Sequence, residues 1–246
     1  MIMEYRISDW YGFERLDFEF MGREAILVKP ESADHGRHFM IKTEYFGAFP
    51  DVEIEMLKRG WHLAYIKNLN RWGVVEDEDM RAEFCRFLHT EFDLAEKCIP
   101  VGMSCGGLHA VCFAAQYPDL VSALYLDAPV MNLLSCPMGM GDGNYDDGMF
   151  AEVCAAWNTD HTGMLSFRMH PLDRMGPVLE NRIPVIMVAG DSDKIVPYHE
   201  NGALLVREYR ARGLEIEEYI KPGCDHHPHG LTDPSPIIDF VLRHAK

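Results

Sequence analysis

Apolar and polar positions alternate at Leu16, Phe18 and Phe20, and the pattern resumes at Ala25 and Leu27 beyond a Met21-Gly22-Arg23 turn. A period of two puts successive side chains on opposite faces, so this stretch predicts an antiparallel hairpin. Short apolar strands are expected over 38–42 and 61–66, with a helix over 50–59 stopped by Gly60. Met80, Phe84, Phe87 and Leu88 recur at helical spacing and predict a helix over 76–92. From Cys98 onward strands (98–101, 121–126, 183–189, 215–220) alternate with helices (105–116, 200–212, 235–244). Near-continuous apolar strands between helices predict a single α/β domain over 1–246, with a mostly parallel central sheet covered by helices on both faces. Residues 131–175 break the alternation. This segment is rich in Gly, Met and Asp, and it falls between two strands. Its methionines, Phe150 and Trp157 favour a small lid or cap insertion over a loose surface loop.

Composition narrows the function classes. The 246 residues carry 23 Lys+Arg against 39 Asp+Glu, a formal net charge of -16. That field repels phosphate backbones and anionic membrane surfaces, so neither nucleic acid nor membrane is an expected partner. The seven cysteines are odd in number and none forms a C-x-x-C pair, which reads as reduced thiols in a cytoplasmic protein. The first residues carry charges throughout and resemble no signal peptide, and no apolar run is long enough for a membrane helix. A homodimer is compatible with the sequence, and no cofactor is implied.

Candidate chemistry sits at three strand ends. Residues 98–107 read as a strand, then Gly102-Met-Ser104-Cys-Gly106, then a helix. A serine hydroxyl is a poor nucleophile unless a base takes its proton, and it must stand clear of its own backbone. A sharp strand-to-helix turn achieves this and demands tiny flanking residues, with Gly107 letting the helix lie close to the sheet. The same turn sets the Cys105 amide at a helix N-terminus, facing developing negative charge, as an oxyanion donor. The Cys105 thiol is a rival nucleophile, but it is expected to project away from the apex.

A second strand runs into Gly190-Asp191-Ser-Asp193. A carboxylate there can hold an imidazole in one tautomer. Asp191 follows glycine directly and suits a turn-shaping role, so Asp193 is the expected acid. A third strand ends in Pro222-Gly-Cys-Asp225-His226-His227-Pro-His229-Gly230. The histidine nearest the strand end, His226, is the expected base, while His227 and His229 either contact substrate or support the loop. The three histidines share one short loop with no obvious further ligands elsewhere, so no metal site is expected.

The order Ser…Asp…His, together with these motifs, resembles the α/β-hydrolase superfamily over nearly the whole chain, and more narrowly bacterial prolyl-oligopeptidase-like or dienelactone-hydrolase-like esterases. Lys42-Thr-Glu-Tyr-Phe-Gly47 is similar to a Thr/Ala-Glu-Phe/Tyr-Phe stretch of such proteins, some of which are linked with carbohydrate esters. The chain departs from the family in two places. The usual His-Gly of the oxyanion loop is absent, which shifts the second oxyanion donor to a backbone amide near Glu44 or Tyr45. Asp225 replaces the usual glycine before the catalytic histidine. The β-propeller of prolyl oligopeptidases is missing, so gating of large peptides is not expected.

The resulting expectation is a serine hydrolase that cleaves a small-molecule carboxylic ester through an acyl-enzyme on Ser104. Candidate substrate contacts are Tyr45, Trp72, Asp127, Met131 and Trp157. Trp72 has core packing as its alternative, and Asp127 a turn-shaping role before Pro129. The rival functions are a peptidase on the same machinery and a non-catalytic binding protein on the same fold.

Overall fold

The computed structural model describes residues 4–245. Among the described residues, nine strands form one sheet in the order β1-β2-β3-β5-β4-β6-β7-β8-β9. The antiparallel side comprises β1 (Arg6–Trp10), β2 (Phe13–Phe20) and β3 (Arg23–Lys29). β3 pairs antiparallel with β5 (His62–Ile66), and β5 pairs parallel with β4 (Phe39–Lys42). From β4 the sheet stays parallel through β6 (Ile99–Met103), β7 (Leu124–Asp127), β8 (Val185–Gly190) and β9 (Ile216–Lys221). The sheet is therefore mostly parallel in its C-terminal part, and the chain has the α/β-hydrolase architecture.

The period-two pattern sorts side chains onto the two faces. Phe39, Ile41, Ala64, Ile66, Val185 and Met187 enter one core, with α2 (Val75–Phe92), α3 (Cys105–Gln116), α7 (Gly176–Glu180) and α8 (Gly202–Ala211) packed over it. Their neighbours Met40, Leu63, Ile186 and Val188 enter the other, under α1 (Asp51–Lys58) and α9 (Ser235–Arg243). Burying both faces is what makes these strands continuously apolar.

The expected hairpin is β2–β3, joined by the turn at Met21 and Gly22, with Leu16 opposite Leu27 and Phe18 opposite Ala25. Strand β1 was not expected. Its Arg6-Ile-Ser-Asp segment is exposed and, among the described residues, pairs only with β2, so no apolar alternation betrays it. β7 starts at Leu124 and not Val121, because a tight turn at Pro118–Leu120 delays sheet entry and leaves Val121 as an isolated bridge to Cys98. β9, at the sheet edge, is only half-buried.

Residues 131–146 are turns and irregular chain, and residues 147–174 are mostly short helices. They hold α4 (Asp147–Trp157), α5 (His161–Ser166) and α6 (Pro171–Arg174). Asp146 caps α4 by accepting from the Met149 amide at 2.8 Å, and Asp160 caps α5 by accepting from the Gly163 amide at 2.8 Å. The segment has its own apolar cluster, in which Leu133, Cys136, Phe150, Val153 and Met164 pack with Trp72 and Leu108. Among the described residues, no helix is long and apolar enough to cross a membrane. All seven cysteines are free.

Candidate active site

Ser104 stands between β6 and α3 with φ 53° and ψ -121°. A non-glycine residue at positive φ costs on the order of 1–3 kcal/mol and persists only where its surroundings hold it. Here the Ser104 amide donates to the Asp127 carbonyl at 2.9 Å, and the Ser104 carbonyl accepts from Gly107 at 2.9 Å and Val130 at 3.0 Å. The flanking glycines answer to steric need. A Cβ on Gly102 would meet the Gly106 oxygen and the Gly107 Cα at 2.6 Å, and one on Gly107 would meet the Pro129 Cβ at 2.3 Å. Larger residues would push α3 off the sheet and open the turn.

The loops after β8 and β9 are stitched to one another. Ser192 donates its amide to the Cys224 carbonyl at 3.0 Å, and Asp191 accepts from the Gly223 amide at 2.7 Å. Asp225 accepts from its neighbour's His226 amide at 2.8 Å and from the Lys194 amide at 3.2 Å. The aspartate that stands where glycine is usual thus ties the two loops together. Asp193 is buried, and its Oδ1 accepts from the Ile195 and Val196 amides at 2.8 Å each. Its Oδ2 lies 2.7 Å from His226 Nδ1, and His226 Nε2 lies 3.0 Å from Ser104 Oγ. The structure thus brings Ser104, His226 and Asp193 into one hydrogen-bonded line.

The Cys105 amide, at the first position of α3, bonds to no acceptor among the described residues, and neither do the Glu44 and Tyr45 amides. The Thr43 hydroxyl, 2.6 Å from the Gly106 carbonyl, holds the loop after β4 against the first turn of α3. The Glu44 carboxylate turns away and accepts from Asn68 Nδ2 at 2.6 Å, so the Cβ and the amide nitrogen of Glu44 are what face this turn. The Cys105 thiol is buried, and burial pushes its pKa up to about 11, so it is a neutral thiol at pH 7 and a poor nucleophile.

A cleft of about 340 Å³ opens on Ser104 and His226. Tyr45, Phe49, Arg71, Met103, Met149 and Ile195 wall it. Tyr45 is the one expected substrate contact that reaches the cleft; burial raises its phenol pKa, so it stays protonated. The other four expected contacts lie elsewhere. Trp72 is fully buried beneath the insertion, with Nε1 donating to Glu152 at 3.0 Å. Met131 is fully buried in the sheet-side core. Trp157 is half-buried against Phe167, and its Nε1 donates to the Trp72 carbonyl at 3.0 Å. Asp127 is buried below the cleft, where it accepts from His229 Nδ1 at 2.9 Å and the Gly230 amide at 2.6 Å.

Asp127 is thus an anchor for the histidine loop. A signal for this was available: Asp127 ends the strand beside β6, opposite Met103, one residue before the serine. His229 supports the loop through that bond, while exposed His227 stacks on Phe49 at the rim. Arg71, in the loop after β5, and Met149, in α4 of the insertion, are not legible in the sequence because their place at the cleft depends on how the insertion packs against that loop. Arg71 grips Glu152 of α4 with two bonds, at 2.8 and 2.9 Å, so the cleft wall is completed by a clamp between the insertion and the loop after β5.

Comparison with known proteins agrees with this architecture. The acylamino-acid-releasing enzyme of Mus musculus is 24% identical over 156 residues, covering 63% of this chain and 21% of that protein. The uncomplexed acylaminoacyl peptidase of Pyrococcus horikoshii superposes with a TM-score of 0.70 at 16% identity, over 99% of this chain and 42% of its own. A truncated carbohydrate esterase from gut microbiota gives 0.68 at 13% identity over 90% of both chains. Est1E from Butyrivibrio proteoclasticus gives 0.60 at 16% identity over 98% of both. The chain thus spans about a fifth of the mouse relative's length. The prolyl oligopeptidase family profile matches residues 57–245, which include the serine, aspartate and histidine loops, and the chain belongs to that hydrolase family.

Proposed function

We propose that this protein is a serine esterase that hydrolyses a small carboxylic ester through an acyl-enzyme on Ser104. The observation that carries this reading is the continuous line from Ser104 Oγ through His226 to Asp193, at 3.0 and 2.7 Å. His226 Nε2 takes the Ser104 proton as Oγ attacks the ester carbonyl. Asp193 accepts from Nδ1–H, fixes the tautomer and stabilises the imidazolium that forms. The Cys105 amide and a second amide at Glu44 or Tyr45 hold the oxyanion. His226 then returns the proton to the departing alcohol, and water repeats the sequence to release the acid.

The preference for esters over peptides rests on the shape of the cleft and on the neighbours. The cleft is small and walled mainly by apolar side chains, with Arg71 already paired to Glu152, which suits a compact acyl or alcohol group better than an extended charged peptide. Two of the solved structures named above are esterases. The insertion acts as a lid over this cleft, contributing Met149 and the Glu152 clamp. Hydrolysis of a panel of p-nitrophenyl esters set against aminoacyl-nitroanilides tests the choice. Ester cleavage with little or no anilide cleavage is expected; the reverse pattern would replace the esterase with a peptidase.

A further inference from the structure

One cluster of side chains exceeds what ester hydrolysis requires. Acyl transfer needs one imidazole, yet His226, His227 and His229 each present a ring nitrogen within 4.8 Å of the others. The three rings surround one point. Their centroids are 4.8, 5.0 and 4.9 Å apart, at interplanar angles of 63°, 80° and 88°. A tetrahedral zinc with nitrogens at about 2.0–2.1 Å sets its ligand nitrogens ~3.4 Å apart and its imidazole centroids ~5 Å apart. The observed ring spacing already meets that; closing the nitrogens from within 4.8 Å of one another to ~3.4 Å falls mainly to the exposed His227 ring, because carboxylates hold His226 and His229.

The surroundings match a metal site in a second respect. Histidines that bind metals commonly give their other ring N–H to a carboxylate, which fixes the tautomer and makes the ligating nitrogen more basic. Two of these three are so held: His226 Nδ1 by Asp193 at 2.7 Å, and His229 Nδ1 by Asp127 at 2.9 Å. Both are left with Nε2 as the nitrogen able to ligate, that of His226 lying 3.0 Å from the Ser104 hydroxyl it would exchange for the ion. Confinement to one short loop, which argued against a metal in the sequence, is no obstacle, because the loop folds back and faces its three rings together. All three histidines line the cleft with Ser104, so water from the cleft can take the fourth position of a tetrahedral ion.

We propose that His226, His227 and His229 form a reversible inhibitory site for a divalent ion of zinc type. The ion takes the lone pair on His226 Nε2 that otherwise receives the Ser104 proton, so the loaded protein cannot form the alkoxide. Binding rests on the imidazole cluster alone; only the loss of turnover depends on His226 being the base.

The test measures zinc binding by calorimetry on chelator-stripped protein, and p-nitrophenyl acetate hydrolysis across the same zinc titration. Wild type is compared with His227→Ala and His227→Gln, each scored against its own metal-free rate. His227 is exposed, so its replacement leaves the core untouched. The expected result is one zinc per chain at this site, inhibition reversed by EDTA, and binding and inhibition weakened together, on the order of tenfold or more, in both variants. Equal affinity in the variants overturns the site. So does binding that disappears on alkylation of the half-exposed Cys154 and Cys224, or in His199→Ala, which disrupts the exposed Asp142–His199–Glu200 group. Zinc bound through His227 with turnover unchanged overturns the inhibitory role. Absent turnover in metal-free wild type would count against the esterase reading, and calorimetry would still decide the metal site.

Discussion

The strand-end loops and the insertion at 131–175 both border the cleft, but they are held by different means. The loops carrying Ser104, Asp193 and His226 are fixed mainly by main-chain amides, such as Ser104 to Asp127, Ser192 to Cys224, and Ile195 and Val196 to the Asp193 carboxylate. The insertion is held mainly by side chains: the Phe150 cluster, the Arg71–Glu152 clamp, and the Trp157 indole on the Trp72 carbonyl, with the Asn144 amide on the Lys194 carbonyl at 2.9 Å as a main-chain tie. A backbone-fixed site keeps its geometry while its side chains do chemistry. A site held by side chains can shift when a few contacts exchange, which suits a cover over a cleft.

The largest expected effects fall on the backbone-fixed region. Ser104→Ala and His226→Ala should each lower turnover roughly 10³-fold or more while leaving the folded state intact by circular dichroism. Asp193→Asn, which keeps size but reverses the tautomer preference, should lower kcat by about 10³–10⁴-fold. A loss below tenfold in any of these would break the contrast by showing that chemistry is not lodged in the strand-end loops.

Asp127→Asn tests an anchor one step removed. It weakens the hold on His229 and Gly230, and a fall in kcat of roughly 10–100-fold with little change in KM is expected, since the base and not the pocket is misplaced. A KM effect alone would move Asp127 back to substrate contact.

The smallest effects belong to the insertion. Glu152→Gln removes a partly exposed ion pair worth about 0.2–1 kcal/mol, so global stability by urea denaturation should barely change. Faster proteolysis within 131–175 and a raised KM are expected, and unchanged proteolysis would show that the clamp does not hold the insertion down.

The same contrast explains what the sequence discloses. A nucleophile at a strand-to-helix turn requires glycines at fixed offsets, and Gly102 and Gly107 are demanded by contacts at 2.6 and 2.3 Å, so the motif is legible letter by letter. Asp191, expected to shape its own turn, instead accepts from the Gly223 amide of the neighbouring loop, which likewise leaves Asp193 free to meet the imidazole. Strands buried on both faces are legible from their apolar runs, whereas exposed β1 is not.

The insertion follows no single period. Trp72 and Trp157 looked suited to substrate because large aromatics near a site often line it, yet their indole N–H groups found partners inside the protein. Met131 likewise went to the core, since a residue a few positions past a strand end can turn either way. Met149 and Arg71, which do wall the cleft, depend on how distant segments pack, and no local spacing reports that.

The account stands most directly on Ser104 being an activated nucleophile. Incubation of the native protein with a fluorophosphonate probe, followed by mass spectrometry of the labelled peptide, measures this in one step. The expected result is a single covalent adduct on Ser104, absent in Ser104→Ala and strongly slowed in His226→Ala. No adduct, or an adduct on Cys105 or another residue, would contradict it.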